Sequence, residues 1–136
     1  MIFKVEISKA TDTTIWVDDD YIYPEYSDGT IDRPFKKIQY AINAANNGDT
    51  IKVLPGVYGE NLIVNKSVTI TTEDKDSTFI TSYVKSVYQI DIQSSSVSLE
   101  GFTIMDNTTT ATRKAVIYIS PQAYDVRVIN NYINFD

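Results

Sequence analysis

Apolar residues follow two different spacings along this chain, and one segment has the spacing of a helix. Residues 34–46 carry their apolar side chains on one face of a 3.6-residue period. These residues are Phe35, Ile38, Ala41, Ile42 and Ala45. Pro34 suits the first helical position, Asp32 can cap the helix, and Gly48 marks its end. The pattern therefore predicts one amphipathic helix over residues 34–46.

From Gly48 onward, short runs of alternating apolar and polar residues replace the helical period. The runs are rich in Val, Ile, Thr and Tyr and are separated by turn residues, which is typical of short β-strands. The predicted strands are residues 50–53, 62–64, 68–70, 79–80, 87–92, 97–99, 102–104, 116–119, 126–129 and 132–133. So many short strands favour either an antiparallel sandwich or a solenoid.

An internal repeat decides between these two architectures. A shift of 29 residues places Leu99 on Val128, and a shift of 27 places Ile90 on Ile117. In-register apolar positions with turns of unequal length are typical of the stacked coils of a parallel β-solenoid. We therefore predict an all-β solenoid of about four coils, because two clear copies and two looser ones are present.

The two ends of the predicted solenoid differ. The helix precedes the first strand, so it is expected to cap the N-terminal end of the coil stack, whereas strand pattern continues to the last residue and leaves the lower edge without a predicted cap. Residues 1–14 are predicted to be an N-terminal strand or arm, and residues 15–136 the β-helix domain. The arm alternates apolar and polar residues, and its candidate assembly positions are Ile2, Phe3, Val5 and Ile7.

Composition removes several classes of function. The chain of 136 residues has no His and no Cys, which excludes disulfides, thiolate chemistry and histidine acid–base catalysis. Its net charge of −6 falls entirely in residues 1–32, and without a basic stripe nucleic acid is not an expected partner. No apolar run approaches the ~20 residues of a membrane span. Charges in the first residues leave no apolar run for a signal peptide. We therefore expect either that the chain is not exported or that the sequence is a mature or trimmed form, and we favour the second.

A series of short motifs runs through the predicted cap and first coil: Asp28-Gly29-Thr30, Arg33-Pro34-Phe35, Gly48-Asp49-Thr50-Ile51, Pro55-Gly56, Tyr58 and Glu60-Asn61. This series resembles the N-terminal cap and first coil of pectin-lyase-like right-handed parallel β-helix proteins. Residues 97–104 and 129–133 resemble the repeats of NosD-type surface β-helix proteins. The resemblance covers about residues 15–136 and implies a fold shared by carbohydrate-active enzymes, carbohydrate binders and surface proteins, so it does not select one function.

Enzymes of the resembled fold use aspartates gathered on one sheet, often with calcium and a basic residue. Here Asp91 and Tyr118 are predicted to point outward on neighbouring coils, because the isoleucines that flank them point inward. Glu100, Asp106 and the basic pair 113–114 have no spacing that brings two carboxylates together. No catalytic residue is therefore predicted. Asp91 and Tyr118 are left as carbohydrate-binding candidates, with a plain solvated face as the alternative.

A calcium site is the one metal hypothesis that the residues support. Asp18 and Asp20 belong to an acidic run that directly follows a strand-like segment, and carboxylate oxygens are ligands that calcium prefers. A solvated acidic turn is the alternative, because the run lacks the spacing of an EF-hand. No other cofactor is expected.

Three hypotheses for function follow. The first is a non-catalytic extracellular or cell-surface β-helix protein with a structural or adhesive role, which assembles end to end into filaments as a homo-oligomer through its open edge or N-terminal strand. The second is the N-terminal part of a polysaccharide lyase or hydrolase. The third is a carbohydrate-binding module with glycans as partners.

Overall fold

The computed structural model describes residues 12–82, 86–108 and 114–135. The strands in these ranges are short, and a single-turn 3₁₀ helix, Pro24–Tyr26, lies before the α-helix. The elements are β1 Thr14–Val17, α1 Ile38–Ala44, β2 Thr50–Val53, β3 Gly56–Gly59, β4 Leu62–Val64, β5 Thr69–Thr71, β6 Thr78–Ser82, β7 Tyr88–Ile92, β8 Ser98–Glu100, β9 Thr103–Asp106, β10 Ala115–Ile119, β11 Arg127–Ile129 and β12 Tyr132–Phe135.

All of these strands pair in parallel and form three sheets. Sheet A is β1-β2-β5-β8-β11, sheet B is β3-β6-β9-β12, and sheet C is β4-β7-β10. The chain visits sheets A, B and C in turn, so each coil adds one strand to each sheet. Within the described residues, three coils have a strand in every sheet and a fourth has strands in sheets A and B. The architecture is the predicted parallel β-helix.

The repeat seen in the sequence is the register of the sheets. Val128 pairs with Leu99, and Ile117 pairs with Ile90, at the predicted shifts of 29 and 27 residues. The turns repeat as well, since Gly101 (φ 86°) and Asn130 (φ 54°) take a left-handed backbone at equivalent places in successive coils. Asparagine tolerates that conformation better than most residues, which explains the exchange of Gly for Asn.

The interior is a column of aliphatic side chains. The alternate residues of each strand point inward, so equivalent residues of successive coils stack on one another. The largest fully buried side chains are Tyr58, Phe102, Ile38, Ile42, Ile51, Leu62, Ile70, Ile80, Ile90, Ile92, Leu99 and Ile104. Burial of one such side chain contributes about 1.5–3 kcal/mol, so this column is the main source of stability.

The helix is shorter than predicted and begins in a different way. It spans Ile38–Ala44, and its N-cap residue is Lys37, whose side chain makes no capping hydrogen bond. The predicted helical start at Pro34 and the predicted cap at Asp32 are therefore wrong. The reason is that Phe35 pairs with Val17 in an isolated bridge, which holds that segment extended. A distant residue supplies the cap: the Glu60 carboxylate accepts hydrogen bonds from the N–H groups of Ile38 (2.8 Å) and Gln39 (3.0 Å).

The helix and the segment before it cover the N-terminal end of the coil stack, as predicted. Ile38, Ala41 and Ile42 are fully buried where α1 packs against β1, β2 and β4. The outer edge of β1 is also occupied, because the N–H of Trp16 donates to the Gly29 carbonyl (2.8 Å) and the N–H of Asp18 donates to that of Phe35 (2.9 Å). These backbone groups on the outer edge of β1 are therefore paired.

The other end has no such cover among the described residues. Strands β10, β11 and β12 are the last strands of their sheets, and no described strand pairs with their outer edges. Core-type positions are correspondingly exposed there: Ile119 is 42% exposed and Ile133 37%, while the equivalent Ile92 and Ile104 one coil earlier are fully buried. The N-terminal arm with Ile2, Phe3, Val5 and Ile7 lies outside the described residues, as does most of the segment 1–14.

Candidate functional site

The outer face of sheet C carries the two residues selected from the sequence. Asp91 on β7 pairs with Tyr118 on β10, and Ile63 on β4 pairs with Asp91 on its other side. All three residues lie on the outer face, since each alternates with inward residues of its strand. The predicted juxtaposition of Asp91 and Tyr118 is thus present in the structure, while their binding role stays a prediction.

Tyr88 belongs to the same face, although the repeat did not indicate it. Its ring stacks on that of Tyr118 with a centroid distance of 4.1 Å and an interplanar angle of 6°. In backbone register Tyr88 pairs with Ala115, so the tyrosine contact is a diagonal one between neighbouring strands. Because the rings stack face to face, each covers one face of the other, and only the opposite face of each ring is left for a ligand. We call these two residues the Tyr88–Tyr118 pair.

A groove of about 350 Å³ lies beside Tyr88. It runs between the ends of β4 and β7 and combines apolar, hydroxyl, amide and carboxylate groups. Its lining residues are Asn61, Leu62, Ile63, Ser86, Val87, Tyr88 and Asp91. We call it the sheet C groove.

The carboxylate of Asp91 is only half satisfied. Its Oδ2 atom accepts a hydrogen bond from Nε2 of Gln93 (3.0 Å), but its buried Oδ1 atom has no hydrogen-bond partner in the described part of the chain. A buried carboxylate oxygen without a donor is unfavourable by about 1–3 kcal/mol or more. Because Oδ1 is enclosed, a ligand or solvent molecule can supply the missing donor only after the Asp91 carboxylate rotates.

The other residues considered for catalysis are dispersed. Glu100 lies on sheet A, Asp106 ends β9 in sheet B, and Lys114 precedes β10 in sheet C. Glu100 accepts a hydrogen bond from the hydroxyl of Ser98 on the same strand. Arg113 lies outside the described residues. The described residues thus bring no second carboxylate onto the outer face of sheet C beside Asp91.

The acidic run forms a turn in which three carboxylates converge. One oxygen from each of Asp18, Asp19 and Asp20 lies within 4.8 Å of the others, so the structure adds Asp19 to the two predicted calcium candidates. Two of them already have backbone partners: Asp18 Oδ1 accepts the N–H of Asp20 (3.0 Å), and Asp19 Oδ2 accepts that of Val57 (2.9 Å). These bonds give the turn a structural role, and calcium binding there stays a prediction from the sequence.

Three groups in the cap and first coil, Glu60, Tyr58 and Asp28, have shifted pKa values. Burial raises the pKa of Glu60 above its ordinary value of 4.5, against the opposing effect of its hydrogen bonds from Gln39 and Ile38. Burial also raises the pKa of Tyr58, whose hydroxyl donates to the Leu54 carbonyl. Hydrogen bonds from Thr30 hold the pKa of Asp28 below its ordinary value of 3.8. Burial explains the shifts of Glu60 and Tyr58, and local hydrogen bonds explain that of Asp28, so these shifts do not point to a catalytic site.

Comparison with known proteins extends to structure only. No protein-family model matches this chain, and no curated protein matches it. Among solved structures it is similar to the pectin methylesterase PemA from Erwinia chrysanthemi, with a TM-score of 0.60 and 16% identity over 93% of this chain and 46% of that one. A pectin methylesterase in complex with a hexasaccharide has a TM-score of 0.57, 16% identity and the same two coverages.

These similarities define the class of fold. The chain has the right-handed parallel β-helix fold of pectin-lyase-like proteins, which confirms the expectation drawn from its cap and first-coil motifs. It spans less than half the length of the enzymes it matches. At 16% identity the likeness extends to fold and not to activity. No helix in the described ranges is long and apolar enough to cross a membrane.

Proposed function

We propose that this chain is a non-catalytic, extracellular or cell-surface β-helix domain that binds a polysaccharide through the outer face of sheet C. The Tyr88–Tyr118 pair beside the sheet C groove is the observation that carries the proposal. Aromatic rings provide the apolar surface on which sugar rings stack, and the neighbouring polar groups fix their orientation. The fold neighbours support this reading, because their names describe enzymes that act on a polysaccharide.

Asp91 is the group that we expect to select the ligand. Its Oδ1 atom has no donor in the described part of the chain, and we expect a sugar hydroxyl to supply one once the carboxylate rotates toward the groove. A hydrogen bond to a charged group contributes about 1.5–3 kcal/mol. The hydroxyl of Ser86 and the amide of Asn61 line the same groove. The Ser86 hydroxyl donates to the Tyr88 carbonyl and can accept from a sugar hydroxyl, whereas the Asn61 amide nitrogen can donate to one.

The proposal is non-catalytic because acid–base hydrolysis needs two carboxylates on opposite sides of the scissile bond. Among the described residues that line the sheet C groove, Asp91 is the only acidic one. One carboxylate beside the Tyr88–Tyr118 pair supports binding without turnover.

The test is isothermal titration calorimetry of the chain with soluble pectin, xylan, mannan and β-glucan. We expect at least one of these to bind, with Tyr118→Ala and Asp91→Asn each weakening the affinity about tenfold, which corresponds to ~1.4 kcal/mol. Tyr124→Ala is the matched control, because Tyr124 is 72% exposed in the turn after β10 and lies outside the groove. Absence of binding to all four polymers, or equal loss in Tyr118→Ala and Tyr124→Ala, contradicts the proposal.

A structural role through self-association is the second candidate. The exposure of the core-type residues Ile119 and Ile133 favours it, because apolar side chains exposed at one end of the coil stack are stabilised when another apolar surface covers them. We propose that a second copy of the chain covers this end. Light scattering over a concentration series should then show oligomers or filaments that Ile133→Lys abolishes, while Ile22→Lys, at an N-terminal loop residue that is 71% exposed, leaves them unchanged. A monomer at every concentration would contradict a role through self-association.

A further inference from the structure

We infer that the chain has a second ligand site, on the outer face of sheet A, that binds a neutral sugar ring. It is a groove of about 420 Å³, which falls within the ordinary range of ligand sites. Its lining residues are Trp16, Lys52, Val53, Leu54, Pro55, Thr71, Thr72, Glu73 and Asp74. This sheet A groove lies on a different face from the Tyr88–Tyr118 pair, so the inference does not depend on the proposed function.

The groove exists because one turn is longer than its equivalents. Residues 72–77 connect β5 to β6, whereas the equivalent connections in the other coils are only residues 54–55, 101–102 and 130–131. In repeat proteins, insertions of this kind gather on one face and often build the binding surface. The long turn therefore forms a wall beside the flat face of sheet A.

Hydrogen bonds within the 72–77 turn and from the next coil hold this turn in place. The hydroxyls of Thr72 and Thr78 are 2.9 Å apart, and that of Thr78 also donates to the Asp74 carbonyl (2.6 Å). Thr103 on the next coil donates its hydroxyl to the Lys75 carbonyl (2.9 Å). A turn fixed in this way does not have to be ordered when a ligand binds, which favours affinity.

Trp16 supplies the apolar surface of the site. It pairs in register with Lys52, which pairs with Thr71, so the three side chains form one row across β1, β2 and β5. The Lys52 ammonium lies 5.4 Å from the centre of the indole ring. Its other partner is Glu73 in the long turn, at 3.7 Å between Nζ and Oε1. The side chain of Glu73 is 91% exposed, so this ion pair is weak and can open to a ligand.

The charges select the class of ligand. Lys52 donates hydrogen bonds, Glu73 and Asp74 accept them, and Thr71 does both, so the groove suits a ligand rich in hydroxyl groups with an apolar face. Two carboxylates against one ammonium give the groove a net negative charge. A sugar with a carboxylate or phosphate group would be repelled, and a neutral sugar would not.

Trp16 is the only tryptophan of the chain, so its fluorescence reports directly on this groove. We expect cellohexaose, xylohexaose or mannohexaose to change the emission of Trp16 in a saturable manner, and hexagalacturonate to bind at least tenfold more weakly. Lys52→Met and Glu73→Gln should each weaken the neutral ligand at least threefold. Lys114→Met and Glu25→Gln are matched controls at exposed residues outside the groove and should leave the affinity unchanged.

Several results would overturn the inference: no change in emission with any neutral hexaose at 10 mM, tighter binding of hexagalacturonate, or equal affinities in the groove variants and their controls. Tyr118→Ala separates the two sites. Calorimetric binding that is lost in Tyr118→Ala and kept in Lys52→Met, without any change in Trp16 emission, leaves the proposed function standing and refutes the second site. A fluorescence response kept in Tyr118→Ala and lost in Lys52→Met supports the second site, whatever the outcome at sheet C.

Discussion

Glu60 holds the start of the capping helix from one coil away, and its removal gives the sharpest test of how the cap is built. Its carboxylate accepts the N–H groups of Ile38 and Gln39, and in Glu60→Ala neither has a replacement from the same position. A buried donor without a partner costs about 1–3 kcal/mol. Water that enters the space left by the side chain can partly replace these hydrogen bonds. We therefore expect Glu60→Ala to lower the free energy of unfolding by about 2–4 kcal/mol for the two N–H groups together.

For a domain of this size each kcal/mol lowers the melting temperature by about 3–4 °C, so Glu60→Ala should melt roughly 6–16 °C below the native chain. Urea unfolding followed by circular dichroism measures the free energy directly. Glu25→Ala, at an exposed residue of the 3₁₀ helix, is the control and should change stability by less than about 0.5 kcal/mol. If Glu60→Ala is as stable as Glu25→Ala, the carboxylate does not cap the helix in solution.

The same residue makes a pH prediction whose sign follows from its pKa. Burial raises the folded-state pKa of Glu60 above 4.5, so the folded state binds the proton more tightly than the unfolded state does. This contribution to stability is fully present below pH 4.5 and is lost as the pH rises through the folded-state pKa. Glu60→Gln cannot titrate, so the stability of the native chain relative to this variant should fall as the pH rises above 4.5. A constant or increasing difference would show that the hydrogen bonds to the helix outweigh burial.

Two further predictions concern the coils. Gly101→Ala should lower the free energy of unfolding by about 1–3 kcal/mol, because residue 101 has a φ of 86° and its Cβ would lie 2.8 Å from the Thr72 carbonyl. Asn130→Gly, at the equivalent turn, should leave the stability unchanged or raise it. Urea unfolding that ranks the two variants in the opposite order would contradict this account. Leu99→Ala should lower the free energy of unfolding by about 2–5 kcal/mol, because it leaves a cavity in the aliphatic column. Ile129→Ala, at the exposed residue next to the equivalent Val128, should lower it by less than about 1 kcal/mol. Equal losses in thermal unfolding would mean that the column is not packed as described.

Most of the fold could be predicted because its signals are local and repeated. Inward residues recur every coil, so the shifts of 27 and 29 residues identified the true strand register. Strand β3 was missed because it begins and ends with glycine and has two apolar residues, Val57 and Tyr58, that give no alternating pattern. The helix start was misplaced because its cap, Glu60, is distant in sequence and a local cap at Asp32 looked sufficient.

The candidate sites were less predictable, because they depend on contacts between side chains of different coils. The register brought Asp91 beside Tyr118, but Tyr88 reaches Tyr118 diagonally, and no repeat spacing encodes that contact. The sheet A groove was missed for a different reason. Among the predicted strands the gap after residue 70 is no longer than the gap after residue 53, because β3 was missed, so the unusual length of the 72–77 turn was not visible. The length of a turn also does not reveal that Trp16 lines the groove beside it.

The placement of Glu60 also determines the order in which the cap can form. A helix of seven residues is too short to be stable alone in water, so α1 depends on its packing and on its cap. The cap residue follows β3 in the chain, and the Glu60 N–H donates to the Thr81 carbonyl in the second coil (2.9 Å). The helix therefore comes early in the chain, but its cap is complete only when residue 60 of the first coil is in place against β6 of the second. We therefore expect α1 to form after the strands of the first coil, although it precedes them in the chain.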